Sequence, residues 1–213
     1  MEPIIVVTPT FYGVKNNFKN DPERSHVETL DHPLPIVETE YFHDELMNDL
    51  IPFVETKYHT FTVSASREDL KASREHRAFG GFSMGSVTTW CTYINCLDYF
   101  KYFIPLSGDC WALAQKADGR MANETAEYLA KIAADAGYTP KDYYLLCATG
   151  VKDIAYPNMK PQMEAMKEIT DSFIYSSDIR KGNFYFIECE EGVHSWDWVN
   201  QYIYDILPDL FKN

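Results

Sequence analysis

The stretch Gly81-Phe82-Ser83-Met84-Gly85 constrains this chain more than any other. A serine framed by glycines in the pattern G-x-S-x-G is the signature of a nucleophile elbow, where a short strand turns sharply into a helix. The serine takes a strained backbone conformation there, and side chains on its neighbours would collide with the strand or the helix. Both flanks suit that geometry. Ala78 to Phe82 reads as a short buried strand, and Ser86 to Leu97 as a helix. The fold must then supply a parallel sheet with helices packed against it.

The rest of the chain supplies that alternation. Ile4 to Val7 is a β-branched run that reads as a buried strand, followed by a long polar surface excursion from Phe11 to Pro35. Phe42, Leu46, Leu50, Phe53 and Val54 recur at helical spacing, so Glu38 to Tyr58 reads as an amphipathic helix. Thr60 to Arg74 reads as loop or short helix. Strands follow at Tyr102–Gly108, Tyr143–Ala148 and Asn183–Glu188, with helices at Asn123–Ala136 and Met159–Ile169. Gly137 stops the first of these helices. Trp196 to Phe211 closes the chain as a helix with Trp198, Ile203, Ile206 and Leu210 inward. This order predicts an α/β fold, a three-layer sandwich with a mostly parallel sheet, in a single domain spanning residues 1–213.

Charge and cysteine usage narrow the partners. Lys and Arg total 19 against 32 acidic residues, a net charge of −13 that disfavours nucleic acid and anionic membrane surfaces. The five cysteines show no C-x-x-C spacing and no zinc pattern, so neither a metal nor a disulfide scaffold is expected. Cys147 and Cys189 lie in apolar runs and read as small core residues. The opening residues lack the basic-then-apolar layout of an export signal. The expectation is a cytoplasmic protein, or a mature piece whose signal lies elsewhere.

A serine hydroxyl is a weak nucleophile and needs an imidazole oriented by a carboxylate. On a sheet of this kind the partners come in the order Ser, Asp, His, each on a loop after a later strand. Asp153 follows the Tyr143–Ala148 strand, and His194 follows the Asn183–Glu188 strand. His26, His32, His43, His59 and His76 all precede the serine in loop or helix contexts and read as solvated side chains. Ser83, His194 and Asp153 are the predicted nucleophile, general base and orienting acid, Asp153 being favoured by its strand context over Asp109, Asp171, Asp178 and Asp197, with the Met84 N–H as one oxyanion donor.

Three segments carry a family resemblance. His76 to Ser86, Asn95 to Trp111 and Ala148 to Met159 closely resemble feruloyl esterases of carbohydrate esterase family one, which are esterase D-like α/β-hydrolases. Glu2–Phe11, Lys181–Phe186 and Tyr202–Pro208 extend the match over nearly the whole chain. The resemblance implies a cofactor-free hydrolase acting on hydroxycinnamoyl esters of arabinoxylan, a small-molecule or polysaccharide-linked substrate. It assigns Ser83, Asp153 and His194 the triad roles and Trp111 the packing of the feruloyl ring. Asp109, Tyr12 and Trp196 are further pocket candidates. Two other readings stay open, an acetyl-xylan or general short-acyl esterase and an impaired remnant that only binds feruloylated sugar.

The chain departs from the family upstream. The strand beside the elbow strand and the HGGG-type oxyanion loop are missing, so the fold is expected to be N-terminally shortened with an open sheet edge. Three arrangements are compatible with that. The chain is a fragment of a longer product; or the Phe11–Pro35 segment is rearranged, with the Thr10 or Phe11 N–H as second donor; or a homodimer covers the edge.

Overall fold

The computed structural model describes residues 3–9, 34–113 and 121–211. Four parallel strands form one sheet: β1 (Ala78–Phe82), β2 (Tyr102–Leu106), β3 (Tyr144–Gly150) and β4 (Phe184–Cys189). Their spatial order is their chain order, β1-β2-β3-β4. The register sets Phe82 beside Leu106, Leu106 beside Ala148, and Gly150 beside Cys189. The carboxyl ends of all four strands thus lie along one rim.

The pleat divides the side chains between two cores. Phe103, Leu145, Cys147, Phe184 and Phe186 face one side. There they meet Leu46 just past α1 (Leu34–Glu45), Trp90 and Tyr93 of α4 (Met84–Cys96), and Leu129 of α5 (Ala122–Asp135). Met159, Met163 and Met166 of α6 (Tyr156–Lys167) complete that face. Tyr102, Leu106, Tyr144, Leu146 and Ala148 face the other side, covered by Val199, Tyr202 and Ile206 of α7 (Trp196–Ile206). The result is the expected three-layer sandwich, with an α/β-hydrolase-like arrangement.

The amphipathic segment near residue 50 is helical in three pieces. A π-helical turn at Leu46–Leu50 separates α1 from α2 (Ile51–Lys57), with the Ile51 N–H reaching back to the Leu46 carbonyl. Pro52, which has no N–H and clashes with the preceding turn, accounts for that widening. Phe53, read as inward from spacing, is exposed because the widened turn rotates the face that follows. The helix α3 (Arg67–Ala72) comes next, capped by Ser66, whose hydroxyl accepts the Asp69 N–H at 3.2 Å.

Several expectations are corrected. Ile4 to Val7 form no strand and are 38–72% exposed. Strand propensity is no intrinsic backbone preference, and none of the described strands pairs with this run. Most of the predicted surface excursion, residues 11–33, lies outside the described residues. The closing helix ends at Ile206, and Leu207–Asp209 continue as a 3-10 turn, since Pro208 has no N–H to extend the ladder. Its inward stripe is Val199, Tyr202, Ile206 and Leu210, which leaves Ile203 partly exposed. Cys147 is buried as expected, but Cys189 is only half-buried, because it stands at the last position of β4 where the chain turns out.

β1 is an edge strand, paired on one side only among the described residues.

Candidate active site

Ser83 sits between β1 and α4 with φ 59° and ψ −115°, a conformation that side chains rarely adopt. The surroundings hold it there. The Ser83 N–H donates to the Leu106 carbonyl at 2.9 Å, and its own carbonyl accepts the Ser86 and Val87 N–H groups at 2.9 and 3.2 Å. A methyl on Gly81 would stand 2.5 Å from the Gly85 carbonyl oxygen, so this glycine is sterically required. Gly85 differs from expectation. A methyl there meets nothing within 4 Å among the described residues.

The loop after β2 braces the elbow from beneath. A methyl on Gly108 would lie 2.9 Å from the Ser83 carbonyl oxygen and 2.8 Å from Ser86 Cβ. The Gly108 carbonyl accepts both Ser86 Oγ at 2.7 Å and Trp90 Nε1 at 3.0 Å. Ser107 just before it is buried at φ 51°, a second strained serine, with its hydroxyl accepting from Thr149 at 3.2 Å.

Asp153 lies on the turn after β3 and His194 on the turn after β4. His194 Nε2 is 3.0 Å from Ser83 Oγ, and His194 Nδ1 is 2.8 Å from Asp153 Oδ1. An ionised carboxylate only accepts, which puts the imidazole proton on Nδ1 and leaves Nε2 to accept the serine proton. The Asp153 side chain is fully buried and the His194 side chain about three-quarters so. Asp153 Oδ1 also takes the Ala155 N–H at 2.8 Å, which fixes the carboxylate relative to its own turn.

Two glycines that carried no role in the sequence reading bring these turns together. A methyl on Gly192 would stand 2.6 Å from Gly150 Cα and 2.5 Å from the Tyr202 hydroxyl, and one on Gly150 would overlap the Gly192 carbonyl. That carbonyl accepts the Lys152 N–H at 3.0 Å, and an ion pair joins Lys152 to Glu191. The turn bearing Asp153 is thereby locked to the turn bearing His194. Their spacing along the sequence gave no hint of it, since the contact is between backbones. Phe82 is a further such residue, with its ring centroid 4.4 Å from that of the imidazole.

Met84 is the first residue of α4, so its N–H is one of the helix's leading donors with no intrahelical carbonyl to meet. Those donors and the helix dipole favour negative charge beside Ser83. Thr10 and Tyr12 lie outside the described residues. Trp111 is half-buried on the loop beyond Gly108, and its Nε1–H donates to Asp109 Oδ1 at 3.2 Å. Asp109 is buried, and Gln162, missed in the sequence, anchors the loop by accepting the Cys110 N–H at 2.8 Å. Trp196 is two-thirds exposed and meets Phe82 edge-on at 5.1 Å. Among the described residues no cluster of three or more His, Cys, Asp or Glu could hold a metal ion, and no helix is long and apolar enough to cross a membrane.

No family model matches the chain. It is 42% identical over 211 residues, 99% of its length, to endo-1,4-beta-xylanase Y of Acetivibrio thermocellus, and that stretch is 17% of the xylanase. Among solved structures, a serine-to-alanine mutant of the feruloyl esterase module from Clostridium thermocellum, complexed with sinapinate, is 45% identical. The TM-score is 0.76, over 82% of this chain and 59% of that one. A substrate-bound, fluorophosphonate-binding serine hydrolase of Staphylococcus aureus has a TM-score of 0.54 at 16% identity, over 81% of this chain and 64% of that one. At that identity the likeness speaks for the fold alone. The chain spans about a sixth of the xylanase and less than two thirds of the feruloyl esterase module.

Proposed function

We propose that the chain is a serine carboxylic-ester hydrolase that cleaves feruloyl and related hydroxycinnamoyl esters of plant arabinoxylan. The observation that carries the chemistry is the hydrogen-bonded row Ser83–His194–Asp153. His194 Nε2 removes the hydroxyl proton as Ser83 Oγ attacks the ester carbon, and Asp153 holds the imidazolium that forms. The Met84 N–H receives the developing oxyanion. His194 then gives its proton to the departing sugar oxygen, and a water repeats the sequence to release the acid from Ser83.

The acyl class rests on Trp111 and on the 45% identity to a module complexed with sinapinate. A half-buried indole held by Asp109 is a flat apolar wall suited to an aromatic acid. The upstream segment containing Thr10 is the place for the second oxyanion donor, with Tyr12 beside it in sequence. The side of β1 that has no strand partner among the described residues is where a second copy of the chain would pair. Sedimentation across a concentration series tests that, and a monomer throughout would remove it.

The test of function is release of ferulate from methyl ferulate and from feruloylated arabinoxylan, with Ser83→Ala as control. Turnover in the parent and none in the variant is expected. Equal rates in the two would overturn the proposal. Reaction of Ser83 with a fluorophosphonate probe separates a working enzyme from a binding remnant, since only an activated serine reacts.

A further inference from the structure

Two buried polar atoms near the Gly150–Gly192 contact have no hydrogen-bond partner among the described residues: Asp153 Oδ2 and the Tyr202 hydroxyl. They share one small region. The Tyr202 hydroxyl lies 2.5 Å from where a Gly192 Cβ would be, and the Asp153 N–H donates to the Gly150 carbonyl at 3.1 Å. Gly150 and Gly192 are the two residues in contact. Buried hydroxyls and carboxylate oxygens are almost always hydrogen-bonded, and an unmet one costs more than an ordinary hydrogen bond contributes. Tyr202 is a donor, and Asp153 Oδ2 accepts.

We propose that Tyr202 is a positioning residue for the triad, its hydroxyl linked to Asp153 Oδ2 through one buried water. The two atoms would give such a water one donor and one acceptor as polar partners. The link supplies the carboxylate with a second anchor. Oδ1 is held by Ala155 and His194, and the link would meet the remaining oxygen, Oδ2, as well. The phenol is suited to the role because it stays protonated. Burial raises it to about 12, with Cys189 and Asp153 adding to the effect. α7 thus fixes the acid of the triad as well as covering the sheet.

The inference rests on Ser83, His194 and Asp153 acting as an acyl-transfer triad, and its test has one readout that does not. Tyr202→Phe keeps the ring in its packing and removes only the hydroxyl; thermal melts followed by circular dichroism verify the fold. The first readout is the proton resonance of the His194 Nδ1–H. Loss of the donor to Oδ2 leaves the carboxylate a stronger acceptor, so the resonance moves downfield in the variant. The second is the rate at which Ser83 reacts with a fluorophosphonate probe, expected to fall about tenfold, the low end of what is lost when the hydrogen-bond partner of a metal-binding side chain is removed. A resonance and a rate both equal to the parent's would overturn the proposal. A parent that does not react but whose resonance moves in the variant would sink the esterase reading and leave the Tyr202 link standing.

Discussion

Gly150 and Gly192 touch backbone to backbone, and that contact sets the distance between Asp153 and His194. Each glycine lies two or three residues from its catalytic neighbour, so a shift at the junction is passed to the carboxylate and the imidazole with little slack. The nucleophile is braced separately, by Gly81 and Gly108.

Gly150→Ala is expected to lower stability by about 1–3 kcal/mol, the usual range for an overpacked site, because its methyl has only backbone to displace. Turnover should fall further than stability accounts for, since a displacement near 1 Å in a catalytic group costs on the order of 10²-fold. Denaturant melts and ester hydrolysis on the same sample measure both. Gly85→Ala is the contrast, because the space beside Gly85 is open. A Gly150→Ala protein with parental turnover would contradict the locking role of the junction.

Trp111→Ala should lower kcat/KM for methyl ferulate by about 10–200-fold, the range open to apolar pocket contacts, and leave an acetyl ester nearly untouched. Side-by-side kinetics on the two esters provide the measurement. Equal losses on both would favour the general short-acyl esterase.

Arg77 precedes β1 and pairs with Glu55 at 2.6 Å, with both side chains about nine-tenths buried. Its other guanidinium N–H groups donate to the Leu70 and Tyr99 carbonyls at 2.6 and 3.2 Å. Arg77→Ala strands the Glu55 charge and should cost about 3–5 kcal/mol. Urea titration of parent and variant would show it as a lower midpoint. A change under 1 kcal/mol would mean that water reaches Glu55.

Tyr102, Tyr143 and Tyr202 are each pushed up to about 12, chiefly by burial. An unfolded tyrosine ionises near pH 10, so between about pH 10 and 12 the unfolded chain has lost protons that the folded one keeps. Stability is unaffected below that window and declines through it, by about 1.4 kcal/mol per pH unit for each tyrosine. Denaturant midpoints measured from pH 8 to 12 test the sign. A flat profile would show that these hydroxyls ionise in the folded protein.

Much of this was legible in the chain. The elbow, the strand–helix alternation and the order Ser83, Asp153, His194 follow from periodicity and from glycines at fixed offsets, which are local signals. What escaped was non-local. The Gly150–Gly192 contact joins backbones 42 positions apart, and the Gln162 anchor for the Trp111 loop spans 52. Neither leaves a pattern in a single sequence. Ile4 to Val7 failed for the related reason that strand propensity carries no information about a pairing edge. One position of the closing-helix stripe was misplaced, because isoleucine and tyrosine are both plausible inward residues, and only the sheet beneath chose Tyr202 over Ile203.

Because strand order in space repeats strand order in the chain, each strand pairs with the one made just before it. Synthesis from the amino end can therefore lay the sheet down one strand at a time, with every new strand meeting a neighbour already in place. The nucleophile emerges first and its base last, more than a hundred residues later. Until β4 has docked, the serine is strained but has no imidazole to activate it. A half-made chain is thus kept from reacting, and under the proposed esterase function the first hydrolysis would mark the moment at which the last strand closes.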